Sequence, residues 1–323
     1  MRRLLPSIGA VLALLATAPA SPFYLPNEHP VTRLFGIPPA ESGFVADGTR
    51  VFGSLNVANN SHDDLAGRET LRLDGETYVA RLAVRHSFSR LWEVGLDLPY
   101  VRHAGGELDG FIESYHDTLG LPPGNRKRIP PDHLMYAFVR EGQTLFHLAE
   151  EADGPGDVRL NLGRQLLVNA NRSRAVAARL AVECPTGDRD NLLGSGSTDV
   201  SFSIAATDEA MLRPLRLDAS LGVLAMLGGG LLEEWREPVA GFGSVTLGWP
   251  VGKRVCLKAQ VDGNTPLFRD LEAGPLDEWA WQIVMGGTLL LPHDLALDLA
   301  VAEDAAVSTA PDVVFHLRLS REW

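Results

Sequence analysis

A few residues have the types and spacing that could do chemistry. His316 and Ser320 stand four apart in VVFHLRLSREW, a base and a nucleophile of the kind that hydrolyses lipid esters, and Gly194-Ser195-Gly196 offers another serine between glycines. On an extended strand four residues span more than about 12 Å at roughly 3.3 Å each, so His316 and Ser320 cannot bond directly. The glycine-flanked serine lacks the strand-turn-helix setting of a nucleophile elbow. Asp188, Asp190 and Asp199 are candidate calcium ligands, but the D-x-[DN]-x-[DN]-G spacing with its later glutamate is missing. In FIESYHDTLGLPPGNRKR, Glu113 and His116 share one helical face, and Arg126, Lys127 and Arg128 form a compact cationic patch. That patch suits an anion or an acidic lipid, or a loop pinned to acidic neighbours. The reading is of a non-enzyme without cofactor or metal, with lipid hydrolysis as a third alternative.

The elements that must position these residues are strands. Residues 1–20 carry Arg2 and Arg3, an apolar run from Ile8 to Leu15, and Ala18-Pro19-Ala20, the layout of a cleaved signal peptide. Residues 21–48 then read as a periplasmic N-terminal segment. From Thr49 onward apolar and polar residues alternate in segments of barrel-strand length, as in LWEVGLDLPY and RVCLKAQVD. The connections alternate between short and long, as periplasmic turns and extracellular loops do in outer-membrane barrels. The chain is therefore expected to be all-β, a single antiparallel transmembrane β-barrel over 49–323 with about twelve strands. The long loop 104–155 carries a short helix at Phe111, Ile112, Tyr115 and Leu119. One register break, at Asp74-Gly75, is read as a bulge; two separate strands there would raise the count to fourteen.

Several further features bound the reading. The net charge of −12 gives no reason to expect nucleic acid, which requires a basic surface. Cys184 falls on the apolar parity and Cys256 on the polar one, so the two should face opposite sides of the wall without bridging. Trp92, Tyr100, Trp249, Trp279, Trp281, Phe315 and Trp323 fall near strand ends on the apolar face, as an interfacial girdle requires.

The segments GFVADGTRVFGSLNVANNS, FIESYHDTLGLPPGNRKR and ECPTGDRDNLLGSGSTD resemble an uncharacterised proteobacterial outer-membrane family classed only as a domain of unknown function. The PTGD…GSG loop is also similar to one in outer-membrane transporters associated with aromatic-compound degradation. The resemblance implies location and barrel architecture, and no activity. Barrels of this kind end on an aromatic residue, matched by Trp323, with an apolar residue three from the end, where Arg321 departs.

With the apolar face toward lipid, the inward set is Arg81, Arg85, Glu93, Asp97, Arg159, Arg179, Glu183, Asp199, Arg216, Asp218, Lys258, Asp298, His316 and Arg318. Both signs are present, which points to mutual pairing more than to a selectivity ladder. The expected role is a narrow passive channel for a small solute, with a closed structural or lipid-interacting barrel as the alternative. The expected partners are outer-membrane lipid, the barrel-assembly machinery through the strand ending at Trp323, and the solute.

Overall fold

Alternation at period two buries one face of every strand, and a wall with no free edge is the arrangement that leaves no backbone group unpaired in lipid. The computed structural model of the chain, which describes residues 21–106, 133–305 and 309–323, has that wall. Its strands are β1 (Thr49–Ala66), β2 (Glu69–Ser87), β3 (Trp92–Ala104), β4 (Met135–Arg140), β5 (Gln143–Leu148), β6 (Ala152–Pro155), β7 (Val158–Val168) and β8 (Arg174–Cys184). They continue with β9 (Thr198–Asp208), β10 (Arg216–Leu227), β11 (Val239–Val251), β12 (Val255–Asn264), β13 (Ala280–Leu291), β14 (Leu295–Asp304) and β15 (Val313–Glu322). Twelve of these, all but β4, β5 and β6, form a closed antiparallel barrel. Closure joins the last strand to the first, from Arg50↔Glu322 to Asn59↔Val313.

The long loop after β3 departs from its expected form. It contains strands: β4 pairs with the outer end of β2 (Leu71↔Phe138), β5 pairs with β4, and β6 pairs with β3 (Tyr100↔Pro155). The expected helix at residues 111–119, and with it Glu113, His116, Arg126, Lys127 and Arg128, lies outside the described residues.

The register break at Asp74-Gly75 is also different from a bulge. β1 and β2 pair without a slip from Thr49↔His86 to Ala66↔Glu69, so the strand is continuous and the count stays at twelve. Leu71 and Leu73 share the inward parity of Val79, Arg81 and Arg85, and both are fully buried. What changes near Gly75 is the surroundings. Below it the outer face meets lipid and the inner face is polar; above it the outer face meets water and the inner face covers an apolar core. The hydrophobic set therefore switches sides with no change in backbone register. Gly75 itself, at φ 139°, lies in a conformation that L side chains rarely adopt.

That core closes the extracellular end. Leu71, Leu73, Tyr136, Phe138, Phe146 and Phe268 are among its residues, contributed by strand ends and extracellular loops. Burying each such side chain contributes about 1.5–3 kcal/mol, so the cap is held as a soluble domain is held. On the lipid face Trp92, Trp249 and Trp323 mark the periplasmic rim, and Tyr100, Trp279 and Trp281 mark the extracellular one. Arg321, the departure from the terminal pattern, lies with its guanidinium 5.6 Å from the Trp323 ring centroid, a cation–π contact at the water interface. Cys184 and Cys256 are both free.

Candidate functional site

Residues 21–48, expected to lie in the periplasm, run instead inside the barrel. The reason is in their composition: Phe23, Tyr24, Leu25, Val31, Leu34 and Phe35 need burial, and the closed wall supplies an adjoining interior. The segment is a hairpin of two extended legs. The first leg starts, at the first described residue, beside Lys258 and Arg318 in the periplasmic half, and climbs past Gln260 and Gln282. A 3-10 turn at Thr32–Leu34 puts Val31, Leu34 and Phe35 into the apolar cap. The second leg descends past Asp199, Thr207 and Gln165 to Glu93, and leaves at the rim, where the backbones of Thr49 and Trp323 pair.

The wall holds this hairpin mainly by its backbone. Gln165 Nε2 donates to the Gly43 carbonyl at 2.7 Å while its Oε1 accepts from the Val45 N–H at 3.1 Å. Arg179 donates to the carbonyls of Ser42 and Phe44 at 2.9 and 3.0 Å. Asp199 accepts from the Gly36 N–H at 2.9 Å and Glu93 from the Ala46 N–H at 2.5 Å. An extended segment buried away from bulk water must find partners for its amides, and luminal side chains take the place of a neighbouring strand.

Charged groups of the hairpin complete the wall's ion pairs. Glu41 bridges Arg85 and Arg179, each at 3.2 Å, while Arg85 also meets Asp97 at 2.6 Å and Arg179 meets Glu93 at 2.5 Å. Glu28 lies 3.6 Å from Arg81 and 3.7 Å from Arg33, and accepts from Asn56 at 2.6 Å. Wall residues pair among themselves as well: Arg159 with Glu183 at 2.7 Å, Arg216 with Asp218 at 2.7 Å, and Asp298 with Lys258 at 3.1 Å and Arg318 at 2.5 Å. Of the set read from parity, Arg81, Arg85, Glu93, Asp97, Arg159, Arg179, Glu183, Arg216, Asp218, Lys258, Asp298 and Arg318 each have an ion-pair partner, while Asp199 is held by the Gly36 N–H and the Ser197 hydroxyl and His316 by Asn56. Three voids between hairpin and wall are about 30, 30 and 20 Å³, room for a water or two each.

The residues considered for catalysis and metal binding are engaged elsewhere. His316 Nδ1 donates to Asn56 Oδ1 at 2.7 Å, and the Ser320 hydroxyl donates to the Ala296 carbonyl. Ser195 sits between Asp157 and Ser197. Asp188 bonds the Asp190 N–H and Asn191, tightening its own loop, and no group of metal-ligand residues occurs among the described residues.

Sequence reasoning missed Tyr24, Glu28, Arg33 and Glu41, and the neutral luminal donors Gln165, Gln260 and Gln282. A signal for the first group was present. SPFYLPNEHPVTRLFGIPPA is too rich in aromatic and aliphatic residues for a tail left in water.

An apolar outer face between two aromatic rims, short turns on one side and long loops on the other, and a closed twelve-stranded wall define an outer-membrane β-barrel protein. The chain belongs to the family described as protein of unknown function DUF3187, matched over residues 7–323. Its fold is similar to that of the COG4313 outer membrane channel from Pseudomonas putida F1, with a TM-score of 0.59 and 11% identity over 89% of this chain and 100% of that one. Weaker likenesses are to the NanC porin, with a TM-score of 0.44 and 7% identity over 84% and 98% of the two chains, and to the P. putida toluene transporter TodX, at 0.42 and 10% over 87% and 91%. No curated protein matches significantly.

Proposed function

We propose that the protein is a passive outer-membrane channel for a small solute, and that the luminal hairpin closes it in the state described above. One observation carries this reading. The barrel encloses two passes of polypeptide side by side, so the wall bounds a solute-sized lumen that its own side chains do not fill. A barrel built only as a rigid cylinder needs no such space. The likeness of the fold to that of the COG4313 outer membrane channel supports the same reading, and solute passes when the hairpin shifts. The partners that go with it are lipid around the wall and the assembly machinery at the Trp323 strand. Residues 1–20 serve as a signal peptide, so mature protein from outer-membrane fractions should begin at Ser21 by mass spectrometry.

The test is a reversible lock. A Cβ placed on Gly36 would stand 2.9 Å from that of Asp199, close enough for a disulfide after a small shift. Full-length Gly36→Cys/Asp199→Cys protein, with Cys184 and Cys256 changed to serine, should conduct in planar bilayers when reduced and fall silent when oxidised. Silence in both states, with the unlocked protein silent too, would sink the channel reading in favour of a closed barrel. The dense ion pairing of the lumen is the observation that favours that second reading. Catalysis has no role in either.

A further inference from the structure

The two legs of the hairpin are not held alike. The second continues into β1 and is fixed at both ends. The first contributes an aromatic pair, Phe23 and Tyr24, which point to adjoining stretches of wall, Phe23 toward β12, β14 and β15 and Tyr24 toward β1, β2 and β3, and are almost completely buried. Each ring has its own seat. Phe23 lies under the Lys258 ammonium, 3.9 Å from the ring centroid, with the His316 ring edge-on at 6.1 Å and the small side chains Ala58, Ala300 and Ala302 around it. Tyr24 packs edge-on against Phe52 at 4.7 Å, its hydroxyl donating to Asp97 at 2.6 Å and accepting from Arg85 at 2.7 Å.

Between the seats the wall reads main chain. Gln260 Oε1 accepts from the Phe23 N–H at 2.8 Å and Gln260 Nε2 donates to the Phe23 carbonyl at 3.2 Å, the two-bond exchange that a neighbouring strand would make. Lys258 donates to the Ser21 carbonyl at 2.9 Å and Gln282 Nε2 to that of Leu25 at 3.4 Å. The carboxamide of Gln260 is itself oriented by the Thr246 hydroxyl at 2.8 Å and by Asp262. Amide donor and acceptor on successive main-chain groups, flanked by an aromatic seat on either side, are the complement of an extended peptide with adjacent aromatic side chains.

We infer that the track of the first leg is a binding site for short extended peptides bearing aromatic residues, and that residues 21–25 occupy it as an internal competitor. The inference gives the solute class of the proposed channel and rests on that reading for transport, while binding stands independently of it. An internal competitor lowers the apparent affinity of the external ligand by the fraction of time the site is free. Weakening the leg must therefore tighten binding, which is the opposite of what damage to the lumen would do.

The experiment follows fluorescence anisotropy of dye-labelled Ser-Pro-Phe-Tyr-Leu against detergent-solubilised full-length protein. Phe23→Ala/Tyr24→Ala in the protein should raise the apparent affinity about tenfold or more over wild type, and Gln260→Leu added to that variant should abolish the gain. A peptide with both aromatics replaced by alanine should compete at least about tenfold more weakly, and a maltooligosaccharide of similar size should not compete. Equal affinity for wild type and the double variant, or equal competition by the alanine peptide, would overturn the inference. Leu25→Ala, which leaves both seats intact and loosens the same leg, repeats the test should the double variant fail to fold. The lock experiment decides conduction separately: peptide binding with no conductance removes the channel, and conductance with no aromatic preference removes this site.

Discussion

Among single residues, Arg85 and His29 carry the most. Arg85 is fully buried and joins hairpin to wall through Glu41, Asp97 and the Tyr24 hydroxyl. Arg85→Met leaves Asp97 without its cation and Glu41 with Arg179 alone, a loss of about 3–5 kcal/mol for a broken buried pair. The expected outcome is a hairpin that is cut by protease added at the periplasmic side while the wall still runs as a folded barrel on unheated gels. Intact protection of residues 21–48 in this variant would remove Arg85 from its anchoring role. His29 sits in the tip, where Nδ1 accepts from the N–H groups of Val31 and Thr32, each at 3.4 Å. Burial, with a smaller contribution from His62, lowers its pKa to about 3. A histidine buried in its neutral form favours the docked tip above the free value of about 6.5, and that preference fades as pH falls toward 3. At pH 5 the loss is about 2 kcal/mol, so open time should lengthen between pH 7.5 and 5. His29→Gln, which keeps an acceptor but takes no proton, should flatten the response; an unchanged acid response would assign it to another group.

At the level of elements, the twelve wall strands were legible because lipid on one side and a polar lumen on the other impose a strict alternation, as Trp92, Val94, Leu96 and Leu98 display. Two parts were not legible, for two physical reasons. Leu71 and Leu73 obey the same parity as Arg81 and Arg85, yet look like a slip, because pattern reading fixes which residues share a face and cannot say what that face touches. The hairpin has no period at all: its bonds run from backbone to distant side chains such as Gln165, Thr207 and Asp199, and those partners become visible only once the wall is closed. The luminal charges lay between these cases, their inward direction legible from parity and their pairings with Glu28 and Glu41 hidden. The face switch at Gly75 predicts a split in behaviour. Leu82→Arg, on the lipid face, should cost about 2–4 kcal/mol and impair insertion. Leu73→Asp, one face over and above the membrane, should leave insertion intact and make β4 and β5 accessible to external protease. Equal insertion of the two variants would contradict the placement of the lipid boundary.

For the molecule as a whole, the interior is divided into an apolar cap outside and an ionic zone toward the periplasm, with the hairpin crossing both. Its tip lies in the cap and its second leg ends at the seam where β1 meets β15. Both legs, moreover, point their ends toward the same mouth. A strand pair inserted from one side can enter a finished cylinder without any end being passed through the wall or around a strand. The topology therefore imposes no order on biogenesis: the wall can close in the membrane first and the interior be furnished afterwards from the periplasm.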